Sequence, residues 1–100
     1  MNATSSHSRL LDTFFELVRI DSPSRHEAEM AAYCKGRLED LGFAVRIDDT
    51  KESTGSDTGN VIAHLPGTAP GHIALSAHMD CVSPCCGVEP IVEGGVVRSA

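Results

Sequence analysis

The sequence has no surplus of basic residues. Eight Lys and Arg stand against fourteen Asp and Glu, a net charge of −6 over 100 residues. The electropositive footprint that phosphate backbones require is missing, which argues against nucleic acid as a partner. No long hydrophobic run is present either: apolar residues never continue for the roughly 20 positions that a bilayer crossing takes. Asp12, Glu16 and Arg19 break the apolar stretch near the start, and no small-residue cleavage site follows it, so it does not read as a secretory signal. Tryptophan is absent, and no internal repeat or low-complexity tract occurs.

The composition that remains, 41% hydrophobic and 22% charged, is that of an ordinary globular protein and argues against wholesale disorder. A chain of this length holds one domain with a core, not a catalytic domain plus a second full one. Four cysteines (Cys34, Cys81, Cys85, Cys86) without a secretory signal point to reduced thiols and a cytoplasmic setting. The neighbours Cys85 and Cys86 would bridge each other only with strain.

Residues 1–7 are polar and read as a flexible N-terminus. Leu10, Leu11, Phe14, Leu17 and Val18 recur at helical spacing, which predicts an amphipathic helix over 8–20. "DSPS" breaks it, because Pro23 disfavours helix at the residue before it. Ser24 with Glu27 reads as a capping box opening a second helix over 24–41. Its buried stripe is Met30, Tyr33, Cys34, Leu38 and Leu41, and Gly42 stops it. The period then changes. "FAVRID" alternates like a strand, and "DTKESTGSDTGN" is a loop of turn formers, with Asp48 and Asp49 facing water at the strand's close. "NVIAHLP" and "HIALSAH" read as neighbouring strands (60–65 and 72–78) joined at "GTAPG", apolar enough for burial on both faces of a parallel sheet. "VEPIVEGGVVRS" reads as a hairpin turning at Gly94-Gly95. The expected class is α/β, a mixed sheet covered by helices on one side. With no later helix for the other face, these residues read as an incomplete domain.

Chemistry concentrates in "SAHMDCV". His78 and Asp80 lie two apart at the end of an apolar run, and in open α/β sheets ligands collect beyond strand carboxyl ends. On a strand both side chains point to one side, so Asp80 can hold the His78 ring in one tautomer and leave the other nitrogen for a metal. Spacing alone is weak evidence, since such pairs are more often solvated loop residues. Cys81, Cys85 and Cys86 with His78 could form a soft metal site, but the second knuckle that zinc ribbons bring is absent, and small buried or turn thiols are the plainer reading. His7, His26, His64 and His72 read as surface residues, and Cys34 as core rather than nucleophile.

The surroundings add a resemblance. "SAHMDCVSPCCGVEPIVEGGVVRS" resembles the segment around the first metal histidine of the di-zinc exopeptidase family that includes peptidase T, aminoacylase and glutamate carboxypeptidases. "LVRIDSPSRHEAEMAAYCKGRLEDLGFAV" resembles that family's two N-terminal helices and following strand. It covers nearly all of the chain from Leu10 on. The resemblance implies that residues 8–100 are the N-terminal portion of a metallopeptidase catalytic domain, with His78 a zinc ligand and Asp80 the catalytic-site aspartate that orients it. Two Zn2+ complete such a site, with the remaining ligands outside these 100 residues. Cys81 stands where threonine is usual, and "SPCCG" replaces a glycine-richer turn. "GVEPIVEGGVV" matches the peptidase T-like branch, and the absence of tryptophan sets the chain apart from the desuccinylase and deacetylase branches. The implied activity is that of a tripeptide aminopeptidase-like exopeptidase on small peptides with a free amino terminus. The resemblance also allows a homodimer through a lid domain that these residues do not include. An amidohydrolase of the same family, and a non-catalytic module that binds a partner or a metal, are the alternatives.

One expectation concerns these residues by themselves. A sheet face left uncovered exposes more than the few hundred Å2 that monomers tolerate, so residues 1–100 alone should self-associate and show no zinc-dependent peptidase activity, with His78→Ala changing neither. Size-exclusion and zinc-titrated melting check this. A monomer that zinc stabilises through His78 contradicts it.

Overall fold

The computed structural model describes residues 6–100. Helix α1 runs Ser6–Val18 and closes in a tight turn, where Arg19 N donates to Phe15 O at 3.3 Å and Ile20 N to Leu17 O at 3.1 Å. Residues 6 and 7 are therefore helical rather than part of a flexible leader, and residues 1–5 of that predicted leader lie outside the described residues. Helix α2 spans Ala28–Asp40, buries Met30 and Ala31, and packs against two strands, β1 (Ala44–Ile47) and β2 (Val61–His64). A short helix α3 (Lys51–Thr54) lies in the connection between them, and β3 (Pro90–Glu93) and β4 (Val96–Ser99) form a hairpin.

The class is α/β, as the sequence predicts, but the strands form two separate antiparallel ribbons. Ala44 pairs His64 and Ile47 pairs Val61 in one; Pro90 pairs Ser99 and Glu93 pairs Val96 in the other. Gly94 and Gly95, both at positive φ (57° and 78°), make the two-residue turn that the right-handed twist of a hairpin favours. The strand expected at 72–78 does not form. A strand needs a partner's backbone groups, and among the described residues none lies beside it, so Ile73 and Leu75 are 92% and 96% exposed. Nor is β2 buried on both faces of a parallel sheet. It is antiparallel and alternates half-buried Val61 and Ala63 with exposed Ile62 and His64.

Helix α2 starts four residues later than the sequence suggests because the local capping box is not made. Its N-cap is Glu27, with no side-chain cap from its own segment. Ser24 and Glu27 bond elsewhere, and Asp57 fills the helix N-terminus from the α3–β2 loop, accepting from Ala28 N at 3.0 Å. A carboxylate there also complements the helix dipole. Of the predicted stripe, Met30 is buried, Tyr33, Cys34 and Leu38 are half-buried, and Leu41 is exposed. Tyr33 faces α1 through a polar cluster, donating to Glu16 while Arg37 donates to Tyr33 Oη at 2.6 Å and to Glu16 at 3.1 Å.

Asp48 closes the β1–β2 connection. Its carboxylate accepts from Thr50 Oγ1 (2.7 Å), Thr50 N (3.2 Å), Asn60 N (2.8 Å) and Asn60 Nδ2 (3.1 Å). The half-buried Asp48 is thus not the solvated residue that the sequence implies. Gly59 is buried against it, and a Cβ at that position would lie 2.0 Å from Asp48 O.

The molecule is flat, 41 × 38 × 19 Å with a radius of gyration of 15.8 Å, where about 13 Å is usual for 100 residues. Its surface of 7546 Å2 exceeds the roughly 5,500 Å2 expected at this mass. The buried apolar core among the described residues is Met30 and Ala31, while Leu10, Leu65, Ile73, Leu75 and Val82 are more than half exposed. One buried residue is polar. Ser22, wholly inaccessible, donates from Oγ to Met79 O at 2.8 Å and accepts from Cys81 N at 2.7 Å, and Pro23 forms a parallel bridge with Cys81. The "DSPS" break is therefore a receiver for the segment after residue 78.

Two outcomes follow from these contacts. Ser22→Ala removes a buried donor and strands the Met79 carbonyl, which should lower stability by about 1–3 kcal/mol in denaturant unfolding. Asp48 is held well below the usual carboxylate range, first by the Thr50 hydroxyl and then by Asn60 N–H. A depressed folded pKa stabilises above the unfolded value of about 3.9 and fades as pH falls below it. Asp48→Asn should therefore melt lower than the parent at neutral pH, with the gap narrowing from about pH 4 downward. A gap constant with pH would contradict the ionic account.

Candidate metal centre

A seam between residues 19–24 and 79–89 positions the candidate site. Beyond the Ser22 bonds, Asp21 Oδ1 accepts from Gly87 N at 2.7 Å, and Arg19 pairs with Glu89 at 3.5 Å on the surface. Ser24 Oγ donates to Asp80 Oδ2 at 2.5 Å. These contacts hold residues 79–81 against the turn after α1 and place Asp80, its side chain 34% exposed, on the rim.

His78 lies just outside the seam with its side chain 96% exposed, its Nδ1 3.8 Å from Asp80 Oδ1. The structure thus brings together the two residues that the sequence singles out, without the strand that was to align them. At 3.8 Å the pair is within ion-pair range but beyond a direct hydrogen bond. With Nδ1 turned toward the carboxylate, the other ring nitrogen is in solvent. On the side of Ser24 and Met79 an open cleft of about 300 Å3 is lined by Arg25, Glu27, Thr50 and Asn60 among others. Arg25 sits in it at φ 74°, its carbonyl accepting from Asp57 N at 3.1 Å.

Zinc sites take three or four protein ligands. Among the described residues no group of three His, Cys, Asp or Glu is arranged to hold a metal ion. These residues therefore fit a metal only as contributors to a shared site: one exposed imidazole and one anchored carboxylate beside it. The thiols do not gather around His78. Cys81 is half-buried, and burial, then the neighbouring Cys85 thiol, pushes its pKa up, which favours the thiol over the metal-binding thiolate. Burial likewise raises Cys34 on α2. His26, His64 and His72 are exposed, and the side chain of His7 lies outside the described residues.

Sequence reasoning missed the receiving side. Ser22 and Ser24 read as a helix break and a cap, but their partners Met79 and Asp80 lie 57 and 56 residues away. The polar, proline-centred "DSPS" was the available signal. It marks a turn and carries no information about what docks on it.

No protein-family model matches the chain. It is 45% identical over 95 residues to a Bacillus subtilis (strain 168) protein named "Uncharacterized protein YqjE", an alignment covering 94% of this chain and 26% of that one. Among solved structures it resembles aminopeptidase PepT from Bacillus cereus ATCC 10987, with a TM-score of 0.82 and 37% identity. It also resembles a tripeptidase (SAV1512) from Staphylococcus aureus subsp. aureus Mu50, with a TM-score of 0.86 and 33% identity. Both matches cover 92% of this chain and 25% of the other. The chain thus spans about a quarter of the length of the relatives it matches, and over that quarter it has the α/β fold of peptidase T-like structures.

Proposed function

We propose that these residues belong to a zinc-dependent exopeptidase, tripeptide aminopeptidase-like, that hydrolyses small peptides with a free amino terminus in the cytoplasm. His78 is a metal ligand and Asp80 the carboxylate that orients it. The observation carrying this reading is the anchored Asp80 facing the Nδ1 side of an otherwise solvent-exposed imidazole. The likeness to an aminopeptidase and a tripeptidase supports the same choice, and no described helix is long and apolar enough to cross a membrane.

On this reading the Asp80 carboxylate on the Nδ1 side of the ring favours the tautomer protonated there and leaves Nε2 as the ligand atom. Ser24 keeps the carboxylate in place. When bound, a zinc pair supplies a water of lowered pKa and polarises the scissile carbonyl. The other ligands and the general base come from outside residues 1–100.

The whole protein, loaded with zinc, should cleave free di- and tripeptides in preference to N-acylated ones. His78→Ala should lower turnover by more than the roughly hundredfold that outer-shell changes reach. Preference for acylated substrates would move the protein to the deacylases. Hydrolysis of neither would leave a binding module, and a fully active His78→Ala would remove the histidine from the metal.

A further inference from the structure

We propose that Ser24 is a positioning residue for His78, acting through Asp80; the inference rests on the zinc reading above. The two oxygens of Asp80 have different surroundings. Oδ2 accepts from Ser24 Oγ at 2.5 Å, and Oδ1 faces His78 Nδ1 at 3.8 Å. A carboxylate on a rim turns about two side-chain bonds, and an ionised one only accepts. Fixing one oxygen with a charge-assisted hydroxyl bond selects the rotamer whose other oxygen points to the imidazole. With its side chain 96% exposed, His78 has no packing to hold its ring, and Asp80 is its charged neighbour among the described residues.

Ser24 is held from both sides. Pro23 before it has a fixed φ and bridges to Cys81, while Arg25 after it is kept at φ 74° with its carbonyl bonded to Asp57 N. The hydroxyl is thus delivered to Asp80 by backbone that cannot easily drift. Ser24 is itself exposed, so a threonine fits there and keeps the donor, whereas alanine removes it.

The test uses the whole protein. Zinc affinity is read by chelator competition, kcat and KM on a free tripeptide, and melting temperature alongside. Ser24→Ala should lower zinc affinity and kcat by about ten- to a hundredfold, with KM within about twofold of the parent, because substrate contacts are untouched. Ser24→Thr should recover both. A Ser24→Ala protein that equals the parent in zinc affinity and kcat, while His78→Ala loses both, overturns the role of Ser24 and leaves the zinc reading standing. A variant that only melts lower makes Ser24 structural and overturns it equally, as does failure of threonine to restore. If His78→Ala keeps both zinc and turnover, the zinc reading fails, and the role of Ser24 with it.

Discussion

Ser22 is the buried contact in the seam between the turn after α1 and the segment around Asp80. Its hydroxyl and carbonyl, both out of water, bind the backbone on either side of Asp80. Magnitudes show why this contact governs the seam. A buried polar group left without its partner costs about 1–3 kcal/mol, whereas an exposed ion pair contributes about 0–1 kcal/mol. The Arg19–Glu89 pair, with side chains 50% and 69% exposed, belongs to the second kind. It tunes an alignment that Ser22, the Pro23–Cys81 bridge and the Asp21–Gly87 bond have already set.

The receiving turn is braced from the opposite direction by the loop between β1 and β2. Asp57 occupies the α2 N-terminus and bonds the Arg25 carbonyl, and Ser56 donates to Glu27 at 2.8 Å. Asp48 shapes that loop by gathering Thr50 and Asn60 around one carboxylate, with Gly59 buried where no side chain fits. Residues 22–27 are thus clamped between the loop and the 79–81 segment, although the apolar core beneath them is small. In a flat molecule, polar contacts of long sequence separation supply the order that packing does not.

This division explains what was legible in the sequence. Elements whose cause is local were readable: α1 from its apolar period, the β3–β4 hairpin from Gly94-Gly95, the end of α2 from Gly42. The α2 start misled, because Ser24 and Glu27 satisfy the capping pattern and yet bond to Asp80 and Ser56. The run at 72–78 misled for the opposite reason. Its apolar character is real, but a strand is a relation between two segments, and hydrophobicity alone does not place a neighbour. His78 and Asp80 were legible as a pair from their surroundings, and the bond from Ser24 to Asp80 was not, since it joins residues 56 apart and no strand forms over 72–78.

The site shows a gradient of exposure: 0% for Ser22, 34% for the Asp80 side chain, 96% for that of His78. On the proposed zinc reading, His78 has conflicting needs. It must reach solvent to take up an ion, yet be oriented, and an exposed imidazole orders itself only at an entropic cost. Burying the histidine would satisfy the second need and defeat the first. Here the burden is divided. Ser22 is buried, Asp80 accepts a bond from Ser24, and His78 beside it remains accessible. Hydrogen bonds rather than packing thus order the seam as far as Asp80, and on the proposed zinc reading His78 is offered to an ion with no site closed around it.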